Sequence, residues 1–208
     1  MSVGNLLLTI AAILVYCGLL QRVLDRMYLT DRQALLMIAA MLIGTFLPSI
    51  RLGPITIGIG GALIPLGICI FVLIRADKCM ERYRSILGAV LSGFVIYVLS
   101  RLLPDEAESM MMEPIWLYGI SSGLISWIVS KSRRGAFVGA VGGVLLADAA
   151  NAMVMWVQGT GVELALGTAG IADAVVICGV MAVFTCELVG EATERLTRRA
   201  TSKGGSSL

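Results

Sequence analysis

Apolar runs long enough to cross a lipid bilayer recur along the chain, and they constrain its fold more than any other feature. A transmembrane helix needs roughly 17–25 predominantly apolar residues to cross the hydrocarbon core. Seven runs approach or meet this length, at residues 3–20, 34–50, 55–74, 86–103, 115–130, 136–157 and 165–188. We therefore expect an all-α, polytopic transmembrane bundle of about seven spans, with residues 1–192 as a single integral membrane domain.

The composition agrees with a membrane protein and excludes several classes of function. Hydrophobic residues make up 58% of the 208 residues and charged residues only 14%, whereas soluble domains carry about 25% charged residues. The formal net charge of +2 gives no sign of nucleic-acid binding. The chain has no histidine, and its five cysteines form no C-x-x-C pair. Histidine-based catalysis and most zinc sites are thereby excluded, and we expect neither a metal nor another cofactor.

The basic residues predict how the spans are oriented. With seven spans, 14 of the 16 lysines and arginines fall on one side, and only Arg51 and Arg101 fall on the other. Loops rich in lysine and arginine mark the cytoplasmic side. We therefore expect a multi-pass protein of the cell membrane, with its N-terminus outside and its C-terminus inside. Residues 193–208 are polar and are expected to form a disordered cytoplasmic tail.

Residues 44–67 contain three prolines and many glycines within an apolar context. Proline and glycine disfavour continuous helix, and irregular backbone at membrane depth is tolerated only against protein or a water-filled cavity. We expect a broken or re-entrant segment near residues 48–61, with Gly60, Gly61 and Pro65 in a cavity wall. A simple kinked hairpin is the alternative.

Two carboxylates interrupt consecutive apolar runs. Asp148 lies nine residues before Val157, and Asp173 lies eight residues after Ala165. At about 1.5 Å per residue, both acids would lie roughly 12–13 Å below the outer boundary. Ionisable groups inside a membrane cost about 2.5–3.5 kcal/mol on insertion scales and mark functional sites by default. We expect a depth-matched aspartate pair.

Small residues strengthen that pairing. They recur every four residues in both runs, as Gly135, Gly139, Gly143 and Ala147, and as Gly170, Ala174, Cys178 and Ala182. Such stripes let membrane helices approach closely, so we expect the two runs to pack together with the acids beside the contact. Asn151, one turn beyond Asp148, is expected to offer a hydrogen bond to the site, and Gly170 to support it.

Three motifs carry a resemblance to a known family. They are Gly60-Gly61-x-x-Ile64-Pro65, then Gly143 with Asp148 and Asn151, and finally Gly170 with Asp173. The chain resembles domain-of-unknown-function family 1614, a group of uncharacterised prokaryotic membrane proteins, over roughly residues 44–187. The resemblance implies a polytopic protein of the prokaryotic cytoplasmic membrane, and it implies no activity. The family's last motif typically reads Phe-Asp-Gly, whereas here Ala172 and Ala174 flank the acid.

A weaker likeness is to intramembrane aspartyl proteases of the presenilin and signal-peptide-peptidase kind. These proteins place one aspartate on each of two adjacent spans, the second in a Gly-x-Gly-Asp motif. Here the second motif reads Gly-Ile-Ala-Asp, ending at Asp173. No Pro-Ala-Leu segment follows the last span, and this is a departure from the protease pattern.

The sequence leaves three functions open. The first is an intramembrane aspartyl hydrolase, in which Asp148 and Asp173 share a proton and cleave a membrane-protein substrate. The second is a small proton- or cation-coupled transporter or channel that uses the same acids to bind the driving ion. The third is a non-catalytic scaffold. All three imply contact with the lipid bilayer, and each is compatible with a homo-oligomer.

Overall fold

The computed structural model describes residues 3–18, 30–52, 55–76, 79–103, 114–158, 164–167 and 171–204. Its helices in this part of the chain are α1 (Val3–Tyr16), α2 (Asp31–Gly44), α3 (Ile64–Ile74), α4 (Cys79–Leu102), α5 (Pro114–Ser130), α6 (Arg133–Val157) and α7 (Ile171–Gly204). Three short strands accompany them, β1 (Ile50–Leu52), β2 (Ile55–Ile57) and β3 (Leu164–Leu166).

Length and composition identify the bundle as membrane-embedded. Three helical stretches are long and apolar enough to span a bilayer, namely Cys79–Leu102, Arg133–Val157 and Ala172–Val189. The stretches Val3–Tyr16, Ile59–Ile74 and Pro114–Ser130 are apolar but shorter. The outer face of α4 exposes large apolar side chains, including Ile86, Val90 and Phe94. The predicted helical membrane bundle in contact with lipid is therefore confirmed.

The small-residue stripe of α6 packs against α4. Gly139 lies against Ser126 of α5 as well as Gly88 of α4, and Gly143 lies over Gly93 of α4. The residue numbers of the contacting pairs increase together along the two helices, so α4 and α6 run parallel. A β-carbon on Gly143 would lie 2.9 Å from the backbone nitrogen of Gly93. Ser92 adds a hydrogen bond, because its hydroxyl donates to the carbonyl of Gly139 at 2.7 Å.

The stripe of α7 packs against α5. Gly119 of α5 lies over Ile177, and Gly123 lies over Ala182, so these two helices also run parallel. The two runs do pack together as predicted, but these two stripes do not form their contact. The four-residue spacing correctly identified close-packing faces, but spacing does not say which neighbour covers a face. Helices α6 and α7 do pack together, through Gly179 against Phe137 and Val141.

Helices α2 and α3 are separated by non-helical backbone. After Gly44 the chain enters β1 and β2, which pair antiparallel, and β2 pairs in parallel with β3 so that Thr56 lies opposite Ala165. Helix resumes as a π-helical turn over Ile59–Leu63, in which the Leu63 N–H donates to the Gly58 carbonyl at 3.3 Å. We call the interval 45–58 the helix break. It contains most of the segment predicted to be irregular, and Gly53 and Pro54 lie outside the described residues.

The last predicted run differs from the helix at both ends. Residues 164–166 form strand β3, and α7 begins only at Ile171. At its other end α7 continues to Gly204, which lies within the predicted disordered tail of residues 193–208. An apolar run does not distinguish a buried strand from the first turn of a helix by its hydrophobicity alone.

Arginines organise the end of the bundle where α3 ends and α6 begins. Arg82 donates to the carbonyls of Ile74 at 2.9 Å and Ala76 at 3.2 Å. Arg134, only 8% exposed, donates to the carbonyl of Arg75 at 2.8 Å. The carbonyls at the end of a helix lack partners within it, so these guanidinium groups cap α3. We call this end of the bundle the arginine end.

Candidate functional site

Asp148 lies on α6 and is half-buried. Its carboxylate oxygen Oδ2 accepts a hydrogen bond from the backbone N–H of Gly167, with a donor–acceptor distance of 2.7 Å. Gly167 directly follows β3 and has φ of +64°, a left-handed conformation that glycine adopts without the penalty that a β-carbon would bring. A charged acceptor makes such a hydrogen bond stronger than a neutral one. The acid thus fixes the turn that leaves β3.

The opposite side of Gly167 rests on the helix break. Its carbonyl group lies against Gly58 and Gly61 so closely that a β-carbon at either glycine would collide with it. The Gly58 N–H also donates to the carbonyl of Leu166 at 2.7 Å, which extends the pairing between β2 and β3. Gly167 is therefore a single layer of backbone between Asp148 and the helix break.

A cavity of about 200 Å³ opens at this break. Its lining contains five glycines and comes from the end of α2, the break, the π-helical turn, the turn after β3 and the start of α7. The lining residues are Gly44, Thr45, Leu47, Ser49, Gly58, Ile59, Gly60, Gly61, Gly167 and Ala172. A volume of this size has room for several water molecules or a small solute.

The three residues predicted for a cavity wall occupy two different cavities. Gly60 and Gly61 line the cavity at the break, and Gly60 packs directly on the backbone of Gly44 at the end of α2. Pro65 lines a separate, apolar cavity of about 60 Å³ between α2, α3, α6 and α7. The two glycines of the predicted wall therefore line the cavity at the break, whereas Pro65 packs between helices.

Asp148 and the helix break lie at the same height in the bundle. Gln33 near the start of α2 accepts a hydrogen bond from Arg75 at 3.1 Å, and the carbonyl of Arg75 binds Arg134 near the start of α6. The two helices therefore start level at the arginine end. At about 1.5 Å per residue, the 14 residues of α2 rise about 21 Å, and Asp148 lies about 22 Å along α6.

Asp173 has a different environment from Asp148. It lies in the first turn of α7, so it is not eight residues inside a helical span as predicted, because that span begins with β3. Gly4 of α1 packs against both its carboxylate and its Cα. Gly179, six residues later, faces α6, and six residues at about 100° each place Asp173 roughly 120° away from that face. The chemistry of a shared-proton pair stays a prediction.

Asn151 and Gly170 were predicted to support the aspartate pair, and neither is shown in contact with Asp148 or Asp173 in the described part of the chain. The Asn151 side-chain nitrogen lies 3.5 Å from the hydroxyl of Ser100 on α4, at the outer limit of a hydrogen bond. Gly170 lies outside the described residues. Ala172, one residue before Asp173, lines the cavity at the break. Sequence reasoning missed Gly167, although a glycine directly after an apolar Leu-Ala-Leu run is a turn signal.

Two further observations concern ions. Glu187 pairs with Arg133 at the arginine end, where Arg133 Nε lies 2.7 Å from Glu187 Oε1 and Nη2 lies 3.1 Å from Oε2. Within the described part of the chain, no three Cys, Asp or Glu side chains form a group that could hold a metal ion. At the cavity, the carboxylate of Asp148 lies directly behind Gly167.

The chain matches a family model described as a protein of unknown function, DUF1614, over residues 36–185. The chain belongs to this family. The matched region contains the helix break, Asp148, Gly167 and Asp173, so the resemblance predicted from the sequence motifs is confirmed. Comparison with curated proteins and with solved structures gives no match. The weaker likeness to intramembrane aspartyl proteases receives no support from these comparisons.

Proposed function

We propose that this protein is a small carrier or channel that moves a cation, alone or together with a small polar solute, through the cavity at the helix break. Asp148 is the carboxylate that binds the cation. The observation that carries the proposal is the cavity's position, because one backbone residue, Gly167, separates it from an acid in the middle of a membrane helix.

The lengths of the helices support a cavity at membrane depth. The 14 residues of α2 rise about 21 Å, whereas the hydrocarbon core is about 30 Å thick. If α2 starts at the cytoplasmic boundary, the helix break begins well below the outer surface. Irregular backbone at that depth is stable where it lines a cavity or packs on protein, and Thr45, Ser49 and Gly58 of the helix break line the cavity.

The chemistry of the lining favours a cation. Discontinuous membrane helices bind ions and solutes at their broken ends, where helix C-termini and unwound carbonyls face cations. Here the C-terminal end of α2, around Gly44 and Thr45, lines the cavity, and Ser49 adds a hydroxyl group. Asp148 supplies negative charge immediately behind this lining. The first residues of the π-helical turn, from Ile59 to Gly61, also line this cavity, and backbone N–H groups at the start of a helix suit the polar end of a co-transported solute.

The orientation that we propose has seven passes, an external N-terminus and a cytoplasmic arginine end. The parallel pairs α4 with α6 and α5 with α7 support an alternating arrangement. Lys131, Arg133 and Arg134 lie where α5 meets α6, and basic residues concentrate on the cytoplasmic side of membrane proteins. This orientation places the cavity in the outer half of the cell membrane, here the cytoplasmic membrane of a prokaryote.

The aspartyl hydrolase is less well supported than the carrier. Two acids that share one proton lie only about 3 Å apart in aspartic proteases. Asp148 is engaged by Gly167, whereas Asp173 faces α1 and lies in a helix N-terminal turn, where a negative charge is favourable without any catalytic role. Hydrolysis is therefore an outcome of the test below.

The test is ion flux into proteoliposomes that contain the purified protein and a trapped dye selective for the cation under test, namely protons, sodium or potassium. Gradients of protons, sodium and potassium are imposed in turn, and liposomes without protein give the background. We expect flux of at least one of these cations, which Asp148→Asn abolishes. Gly67→Ala is the matched control, because a β-carbon at Gly67 meets no atom within 4 Å and the variant is expected to retain flux.

Flux at the background level for all three cations would overturn the carrier. Cleavage of candidate membrane-protein substrates, lost in both Asp148→Asn and Asp173→Asn, would instead establish the hydrolase. Loss of thermal stability in both variants, with neither flux nor cleavage in the parent protein, would establish a scaffold.

A further inference from the structure

The backbone at Gly167 divides the cavity from its carboxylate. One face of this residue lines the cavity, and its N–H group on another side donates to Asp148. A solute in the cavity therefore contacts Gly167 before it reaches the acid. For Asp148 to bind a cation that enters by this route, the backbone at residues 164–167 has to move.

A short strand pairing, close packing of the Gly167 carbonyl on Gly58 and one hydrogen bond to α6 hold this backbone. Strand β3 has only three residues, and its pairing with β2 ends with the hydrogen bond from Gly58 to Leu166. Beyond that bond, the hydrogen bond from Gly167 to Asp148 ties the end of the segment to α6. Short segments with few backbone hydrogen bonds open at a lower free-energy cost than the core of a protein.

We propose that residues 164–167 form a gate between the cavity and Asp148, and that the carboxylate of Asp148 is its latch. When the latch is closed, Asp148 accepts the Gly167 N–H and the cavity is sealed from the acid. When the gate opens, the same carboxylate oxygen is released to face the cavity. The inference rests on the proposed function, because it says how access to the cation site is controlled.

The latch makes gate opening and cation binding depend on each other. A cation that enters from the cavity is coordinated by the carboxylate oxygen Oδ2 of Asp148. This oxygen then loses its hydrogen bond from the Gly167 N–H. A ligand shifts a conformational equilibrium towards the state that it binds more tightly. A cation at Asp148 therefore favours the open gate, and an empty site favours the closed gate. This is the coupling that a carrier needs between occupancy and access.

Hydrogen–deuterium exchange of the full-length protein in detergent tests the gate without measuring transport. Asp148→Leu removes the acceptor, so we expect amide exchange in residues 164–167 to become about tenfold faster or more, as befits loss of a hydrogen bond to a charged group. Asp148→Asn keeps a neutral acceptor oxygen, and a smaller acceleration is expected. Asp173→Asn is the control, and exchange at the gate should not change.

Peptides from α4 and α5 report whether each variant is folded, because the hydrogen bond that the variants remove joins α6 to Gly167 and involves neither helix. If Asp148→Leu exchanges rapidly in all its peptides, that variant is unfolded, and the test of the gate rests on Asp148→Asn alone. Unchanged exchange at residues 164–167 in a folded Asp148 variant would overturn the gate, even if that variant has lost ion flux. Accelerated exchange at the gate in a protein without flux would retain the latch and overturn the carrier.

A second measurement uses the parent protein with sodium chloride as the probe. N-methyl-glucamine chloride at equal ionic strength is the comparison, because its cation is too large to share a carboxylate site built for a small ion. Faster gate exchange in sodium than in N-methyl-glucamine, absent in Asp148→Asn, is the expected result if sodium is the cation. Equal exchange in sodium, in potassium and in N-methyl-glucamine at one fixed pH would contradict the coupling.

Discussion

Asp148 and Gly167 are 19 residues apart in sequence and are joined by a 2.7 Å hydrogen bond from a backbone amide to a carboxylate. This contact ties the middle of α6 to the turn after β3, and through that turn to the helix break. A buried carboxylate needs a partner, and here the backbone supplies one. The acid is therefore a structural organiser of the cavity wall in the state that the structure describes.

Gly167→Ala is expected to destabilise the protein strongly. The residue has φ of +64°, and a β-carbon would lie 2.5 Å from the backbone nitrogen of Ala62 and 2.8 Å from the carbonyl carbon of Gly61. Left-handed backbone costs a residue with a side chain about 1–2 kcal/mol, and the collision adds to this. Thermal unfolding in detergent should show a clear fall in melting temperature.

Gly67→Ala is the control for that experiment, because the space around Gly67 is open. Helix propensity alone favours alanine over glycine by about 1 kcal/mol, so its melting temperature should stay unchanged or rise. If both alanine variants melt at the same temperature as the parent protein, the tight packing of Gly167 on the helix break is wrong.

Asp173→Asn separates the roles of the two acids. A negative charge in the first turn of a helix contributes about 0.3–1 kcal/mol through the helix dipole, and Asp173 occupies such a turn. We expect a small loss of stability on thermal melting and retention of ion flux in proteoliposomes. Complete loss of flux, equal to that in Asp148→Asn at comparable stability, would mean that the two acids act as one site.

Gly143→Ala is expected to push α4 and α6 apart. Its β-carbon would lie 2.9 Å from the Gly93 nitrogen and 3.0 Å from the β-carbon of Ser92. Overpacking of a tight interface typically costs about 1–3 kcal/mol. The measurement is the free energy of unfolding in a detergent titration.

Gly88→Ala is the matched control, on the same face of α4 where it meets both α5 and α6. There the nearest atom, the Cα of Ser126, would be 3.7 Å from the new β-carbon, an ordinary contact distance. A larger loss in Gly88→Ala than in Gly143→Ala would contradict the packing of the α6 stripe on α4.

The sequence predicted which face of each helix is closely packed, but not which neighbouring helix covers that face. Gly139 and Ala182 recur in stripes because a helix repeats every 3.6 residues, and that regularity is local. Which helix covers a stripe depends on how all the helices assemble, and nothing in one stripe encodes it. Hence both stripes were recognised, yet the structure places them against α4 and α5 and not against each other.

The helix break and the acids show the same limit at the candidate site. The glycines and prolines of residues 44–67 signalled irregular backbone, since both residue types disfavour helix, and Gly60 and Gly61 do line a cavity. The start of α7 was misjudged because Leu-Ala-Leu at β3 is as apolar as a helix. That misjudgement alone moved Asp173 from a helix N-terminus to an apparent mid-span position.

Arg133 and Glu187 are expected to stabilise the arginine end as a coupled pair. The ion pair joins the first turn of α6 to α7, with 16% of the arginine side chain and 30% of the glutamate side chain exposed. A positive charge at a helix N-terminus opposes the helix dipole, so Arg133 depends on its partner. Free energies of unfolding of Arg133→Gln, Glu187→Gln and the double variant form a double-mutant cycle, with an expected coupling of about 1 kcal/mol. High salt should reduce this coupling because the pair is partly solvated, and additive effects of the two substitutions at low salt would show that the two side chains do not stabilise each other.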